Sequence, residues 1–292
     1  MASKGQGNKT VLITGCTTGS IGHALSLEFQ RQGFNVIATS RNLATMQDLV
    51  QHKLIEAVRL DVCSEVSIAA AVKEVAQLTG GRLDYLVNNA GGDASPAPAT
   101  EVDIERAKQI FDLNFWGAVC VIKAFTPLLI RSRSGGRIIN ISSAAGTLPI
   151  PYLSMYGASK AALNHYSDVL RAELVPFNIS VTIVVTGAIA NSKNKGQGED
   201  FVLRIEPDSL YAWASQIHAR AHAKSVETRM TAQEYARQLV HHATQRRPKK
   251  CLYIGHQTFF AWLMEAYFPR WLTLSIMIKL WGLGPVATQH DS

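Results

Sequence analysis

Short apolar runs recur along this chain, spaced so that one helix fits between each pair. Residues 10–14, 34–39, 56–60, 83–87, 137–142, 179–185 and 251–254 each read as a buried strand. Helical patterning fills 23–32, the stretch from Ser64 onward, 102–130, 156–174 and 231–245. In the fourth of these, Ala158, Ala161, Ala162, Leu163, Val169 and Leu170 supply apolar positions, and no proline intervenes before Pro176. Thr231 with Glu234 three residues later is a helix-start signal. Strands alternating with helices predict a doubly wound α/β fold, a single domain on a sheet of about seven parallel strands.

Past residue 256 the pattern changes. Residues 259–283 are rich in Trp, Phe, Leu, Ile and Met, but Glu265, Pro269, Arg270 and Lys279 cut them into short pieces. The longest charge-free piece, 271–278, is far below the roughly 20 residues a spanning helix needs. Two readings stand: an interfacial anchor carrying Trp262, Trp271 and Trp281, or an apolar arm packed on its own subunit or a partner. The chain therefore divides into a polar tail (1–8), a domain (9–256) and an apolar C-terminal arm (257–292).

A hydrophobic content of 47% and a charged content of 17% exclude general disorder. The net charge of +7 suits an anionic cofactor, substrate or membrane surface better than DNA, because the basic residues are dispersed apart from Arg246-Arg247-Pro248-Lys249-Lys250. Cys16, Cys63, Cys120 and Cys251 form no CxxC pair, which argues against zinc and a disulfide framework and suits a reducing compartment. Residues 1–9 are polar and show no apolar core of a secretory signal. His218 and His222 share a helical face without nearby acids and read as solvated surface, so no metal is expected.

Tyr156 and Lys160, four residues apart, lie on one helix face. An ammonium near a phenol favours the phenolate, so the Tyr156 pKa is expected to fall from about 10 toward the working range. The result is a proton donor or acceptor for a carbonyl/alcohol pair; alone, the spacing is equally that of an ordinary helical pair. Ser142 and Ser143 end the preceding strand, where a hydroxyl can reach a substrate oxygen. Gly15-Cys16-Thr17-Thr18-Gly19-Ser20-Ile21-Gly22 follows the first strand and opens a helix. That context suits a dinucleotide: glycines admit the pyrophosphate and the helix N-terminus attracts it. A turn made only for tight packing is the alternative. Arg41 follows the second strand, where an acid would hold the ribose hydroxyl of NAD; an arginine instead pairs with a 2′-phosphate and favours NADP(H). An exposed arginine without a ligand is the competing reading. Asp61-Val62 follows the third strand, and Asp61 could simply cap the next helix. Asn114 sits within a helical run, where it lowers helix propensity.

With Asn88-Asn89-Ala90-Gly91 and Asn114-Phe115-Trp116-Gly117, these motifs resemble the short-chain dehydrogenase/reductase family over roughly residues 9–255. The resemblance implies a Rossmann-type sheet and a set of roles. Tyr156 is the proton donor. Lys160 lowers its pKa and bonds the nicotinamide ribose. Ser143, at the family spacing from Tyr156, polarises the carbonyl, and Ser142 is structural. Asn114 holds a water that links the lysine to solvent. Gly15, Thr17, Thr18, Ser20 and Ile21 would face the phosphates of NADPH/NADP+, Arg41 the 2′-phosphate and Asp61 and Val62 the adenine. Asn88 and Ala90 would line the cleft, and Ile189 and Asn191 the nicotinamide carboxamide. Residues 192–230 would close over substrate, with Tyr152, Tyr211 and Trp213 facing it or packing.

The chain departs from the family pattern in three places. The glycine loop is one residue longer, Thr186 replaces the Pro of a Pro-Gly step, and Asn191 replaces a Thr. These features, Tyr235-Ala236-Arg237-Gln238-Leu239-Val240 and the apolar tail are similar to the fungal NADPH-dependent 1-acyldihydroxyacetone-phosphate reductase-like branch. That branch includes lipid-droplet and endoplasmic-reticulum enzymes and tailoring reductases of natural-product pathways. The expectation is an NADPH-dependent reductase of a lipophilic ketone or aldehyde. It would be cytoplasmic or peripheral on endoplasmic reticulum or lipid droplets, and a dimer or tetramer paired through the helices bearing Asn114 and Tyr156. Alcohol oxidation, a non-redox cyclase, isomerase or interaction module, and a nucleic-acid binder suggested by the pI of about 9.3 are the rivals.

Overall fold

The computed structural model describes residues 8–92, 94–190, 203, 205, 208–214 and 229–284. Seven strands form one fully parallel sheet: β1 (Thr10–Ile13), β2 (Asn35–Ser40), β3 (Ile55–Arg59), β4 (Tyr85–Asn88), β5 (Arg137–Ile141), β6 (Ser180–Thr186) and β9 (Cys251–Ile254). Their order is β3-β2-β1-β4-β5-β6-β9. The order reverses between β1 and β4, and the crevice beyond the strands' carboxyl ends at that point is where ligands bind in such sheets. A two-stranded ladder, β7 (Ile189–Ala190) with β8 (Met230–Thr231), was not legible in the sequence because two residues carry no periodicity.

Each sheet face has its own core. One is covered by α1 (Ile21–Arg31) and α6 (Ala232–Ala243), through Leu25, Phe29, Tyr235, Leu239 and Val240. The other is covered by α2 (Glu65–Thr79), α4 (Gly117–Ile130) and α5 (Ser154–Glu173), through Ile68, Val75, Val121, Phe125 and Leu170. Strands buried on both faces explain why the runs are continuously apolar rather than alternating. The helix starts obey local chemistry. Ser20, Ser64 and Thr231 each accept a hydrogen bond from the backbone N–H three residues on. The cap of α2 is thus Ser64 and not Asp61, whose Oδ1 instead accepts from Cys63 N at 3.0 Å.

The run 102–130 holds a surprise. It is α3 (Ile104–Phe111), a π-helical turn (Asp112–Trp116) and then α4. Together, Ile104–Ile130 is the one helix among the described residues long and apolar enough to cross a membrane, but it packs in the domain core. Within the segment 192–230 expected to close over substrate, the described residues include one 3-10 turn, Ala212–Ala214. His218, His222 and Asn191 lie outside the described residues.

The arm folds as two short helices, α7 (Thr258–Tyr267) and α8 (Arg270–Leu280). Ala261 and Met264 bury against Leu148 and Ile150, in the segment between Ser143 and Tyr156. Trp281 and Leu283 reach Tyr152, alongside Leu203 and Tyr211. The arm therefore packs on its own subunit, although Phe259, Tyr267, Trp271 and Leu280 remain exposed.

A buried amide pair joins β4, β5 and α5. Asn88 Nδ2 donates to Asn140 Oδ1 at 2.8 Å, and Asn140 Nδ2 donates to Ser167 Oγ at 2.8 Å. Truncating Asn140 strands the Asn88 amide in a dry interior, while Ser167 keeps its bond to Leu163 O. Asn140→Ala should lower the unfolding free energy by about 2–3 kcal/mol. Urea denaturation should show a lower midpoint at an unchanged slope.

Candidate active site

The glycine loop is built against the end of β4. Asn89 Nδ2 donates to Thr14 O (2.8 Å) and Gly15 O (3.2 Å), while Asn89 N and Ala90 N donate to Thr14 Oγ1 at 2.9 and 2.8 Å. Asn89 and Thr14, rather than Asn88, therefore tie the loop to the central strand; Asn88 points into the sheet toward Asn140. Gly15 has φ of 74°, and a Cβ there would lie 2.9 Å from Ala90 Cα. At Gly22 a Cβ would lie 2.5 Å from Gly15 O. Only glycine lets the loop, the α1 start and the β4 end meet this closely.

Ser20 caps α1 through His23 N and donates from its own hydroxyl to Gly15 O at 3.2 Å, while Ser20 N donates to Thr17 O. Ile21 opens the helix. Thr18 turns away from the α1 terminus: its N–H and hydroxyl both meet Thr45 O at 2.8 Å. Arg41 is exposed just past β2. Val62 is buried against Gly117, whose missing side chain lets α4 approach; a Cβ there would sit 2.8 Å from Val62 Cγ2.

At the far side of the cleft stand the candidate reacting groups. The π turn rotates Asn114 inward to 1% exposure. Its Oδ1 accepts from Gly92 N (2.9 Å), and its Nδ2 donates to Gly92 O (3.0 Å) and Ser159 Oγ (3.3 Å). Lys160 is 4% exposed, and its Nζ donates to Ile141 O at 3.0 Å. A Cβ on Gly91 would lie 2.9 Å from Asn114 Oδ1 and 3.3 Å from Lys160 Nζ, so both close on one point. Ser143 lies two residues past β5, where its Oγ accepts from Ala145 N at 3.2 Å, and its hydroxyl acts on the Tyr156 phenol to favour the phenolate. Ser142 is buried, with its N–H on Val184 O.

Electrostatics correct one expectation. Lys160 Nζ lies 6.0 Å from the Tyr156 ring centroid, yet the phenol pKa is raised rather than lowered. Burial is the larger cause and disfavours the phenolate; the bond from Ser143 offsets it only in part. The same burial pushes the Lys160 ammonium down to about 8. A buried cation with one backbone acceptor among the described residues, beside a glycine-lined loop and a helix N-terminus, fits a polyanionic, hydroxyl-bearing dinucleotide.

Two sequence oddities meet in space. Tyr235, wholly buried on α6, places its hydroxyl 2.7 Å from Thr186 Oγ1 at the end of β6. Gly187 follows, with room for no Cβ because His256 O would be 2.1 Å from it. The turn that leads to buried Ile189 is thereby held from α6. Sequence reasoning noted Thr186 and Tyr235 separately but had no signal for their contact.

The short chain dehydrogenase family profile matches residues 9–201. The chain belongs to this family. It is 42% identical over 277 residues to the short-chain dehydrogenase ptmH of Penicillium ochrochloron, covering 94% of this chain and 98% of that one. It is 41% identical over 207 residues to the NADPH-dependent 1-acyldihydroxyacetone phosphate reductase of Schizosaccharomyces pombe, covering 70% and 69%. The crystal structure of a short-chain dehydrogenase from Streptomyces avermitilis superposes with a TM-score of 0.76 at 25% identity, covering 94% and 97%. In this short-chain dehydrogenase Asn114 and Lys160 converge on Gly91 and Lys160 lies beside Tyr156, whereas Asn88 faces into the sheet and Thr18 turns to Thr45; Asn191 lies outside the described residues.

The lysine's burial has a measurable sign. Its folded pKa of about 8 lies below the ordinary lysine value of 10.5, so holding the charge costs on the order of 3 kcal/mol. That penalty is fully present below about pH 8 and fades toward pH 10.5. Without cofactor, Lys160→Met should be more stable than wild type at pH 7, and thermal melts should show the gap closing as pH rises through that window.

Proposed function

We propose that this chain is an NADPH-dependent carbonyl reductase that converts a lipophilic ketone or aldehyde to the alcohol. The observation that carries the reading is the Tyr156 phenol, kept protonated by burial, bonded to Ser143 and flanked by Lys160 and Asn114. NADPH, when bound, supplies the hydride. Tyr156 donates its proton to the carbonyl oxygen, which Ser143 orients by a hydrogen bond. Lys160 stabilises the phenolate left behind, and Asn114, clamped between Gly92 and Ser159, holds the far end of the proton path.

Gly15, Thr17, Ser20 and Ile21 would hold the pyrophosphate, Arg41 the 2′-phosphate, Asp61 and Val62 the adenine, and Ile189 the carboxamide. Support for NADPH over NADH comes from Arg41 at the end of β2 and from the NADPH dependence named for the Schizosaccharomyces pombe relative. Support for a lipophilic substrate comes from the apolar surroundings of the 144–152 segment: Tyr152, Tyr211, Leu203 and Trp281 cluster four residues before the catalytic tyrosine. Trp213 stands apart, exposed and bonded to Leu210 O. Reduction is favoured over alcohol oxidation by Arg41, which suits the 2′-phosphate of NADPH. The reading also carries self-association through the helices bearing Asn114 and Tyr156, where Trp116 and Val169 are exposed. It places the enzyme in the cytoplasm, with the exposed aromatic face of the arm available to an endoplasmic-reticulum or lipid-droplet surface.

The test is NADPH consumption with ketones of increasing chain length. Wild type should turn over long-chain ketones with NADPH and far less with NADH, and Tyr156→Phe should lose about 10²-fold or more in kcat. Tight NADPH binding with no turnover across the panel would favour a non-redox role.

A further inference from the structure

The lengthened glycine loop is tied to a segment that the cofactor assignment does not use. Thr18 N and Oγ1 meet Thr45 O at 2.8 Å, and Thr18 Oγ1 also lies 2.7 Å from Asp48 Oδ1. The other carboxylate oxygen, Oδ2, is 2.6 Å from His23 Nε2 in the first turn of α1. A carboxylate only accepts, so the ring nitrogen donates. Burial alone would push the Asp48 carboxyl up, but the bonds from Thr18 and His23 outweigh it and hold it below the ordinary range.

The opposite end of this network reaches the turn that carries Arg41. Thr45 Oγ1 donates to Asn42 O at 2.7 Å and lies 3.1 Å from Ser40 Oγ, the residue before Arg41. Met46 and Leu49, both fully buried, anchor the segment on either side of Asp48. An unbroken path of short contacts therefore runs from His23 through Asp48, Thr18 and Thr45 to Ser40. It spans the gap between the two halves of the cradle, the loop that would face the pyrophosphate and the arginine that would face the 2′-phosphate.

We infer that Asp48 is a positioning residue for NADP(H): the His23–Asp48–Thr18 clasp fixes the glycine loop relative to Arg41, and Thr18 serves the cofactor through that clasp instead of touching it. The inference rests on the NADPH reading above. A ligand that engages both halves needs the clasp, whereas one that engages only the Arg41 side does not.

The experiment is a double-mutant cycle read by calorimetric binding, with thermal melts to verify folding. Asp48→Ala, Thr18→Val and the double variant are titrated with NADP+ and with 2′-AMP, which lacks the pyrophosphate. Each single variant should bind NADP+ about tenfold more weakly, the size of one lost hydrogen bond. The double should be no worse than either single, because both act on one device. All three should bind 2′-AMP within about twofold of wild type. NADP+ affinity unchanged in Asp48→Ala, additive losses in the double, or equal weakening toward both ligands would each overturn the clasp. Wild type that fails to bind 2′-AMP, or an Arg41→Ala variant that binds it as wild type does, would overturn the NADPH reading itself.

Discussion

Burial of one ammonium group governs this site. Lys160 needs a position beside Tyr156, and α5 supplies it one turn away, but that position is dry. Among the described residues the fold answers with the Ile141 carbonyl, and burial pushes the ammonium pKa down to about 8. A dry site raises the tyrosine as well, since the phenolate is no better solvated than the ammonium. The cofactor-free protein thus stores an electrostatic cost that an anionic ligand relieves. Such stored cost is a common mark of catalytic sites.

The architecture around that site is a matter of close approach. Glycines at 15, 22, 91, 117 and 187 stand where another element comes within van der Waals range, so the cleft is shaped by missing side chains as much as by those present. The polar groups then lock what the glycines admit: Thr14 and Asn89 join the loop to β4, Asn114 joins Gly92 to α5, and Tyr235 joins α6 to the β6 turn. The arm adds a further constraint by backing the segment between Ser143 and Tyr156.

Much of this was legible before the coordinates. Seven apolar runs became seven parallel strands, because strands buried on both faces write themselves as unbroken apolar stretches. The Tyr156–Lys160 pair and the glycine loop were visible as motifs. What stayed hidden was tertiary. Nothing in the sequence signals that Asp48 bonds Thr18, 30 residues before it, and His23, 25 residues before it. The π turn at Asn114 has no composition cue. The expected depression of the Tyr156 pKa failed because sequence shows the charge partner but not the loss of solvent, and here the second effect wins.

The central claim is that burial keeps Tyr156 a proton donor. Ultraviolet difference titration of wild type against Tyr156→Phe, without cofactor, isolates the absorbance of that one phenol among the eight tyrosines. The account predicts that its tyrosinate signal appears only above the ordinary tyrosine pKa of about 10. A signal emerging well below that pH would mean that the lysine charge, not desolvation, controls the group, and would contradict the account.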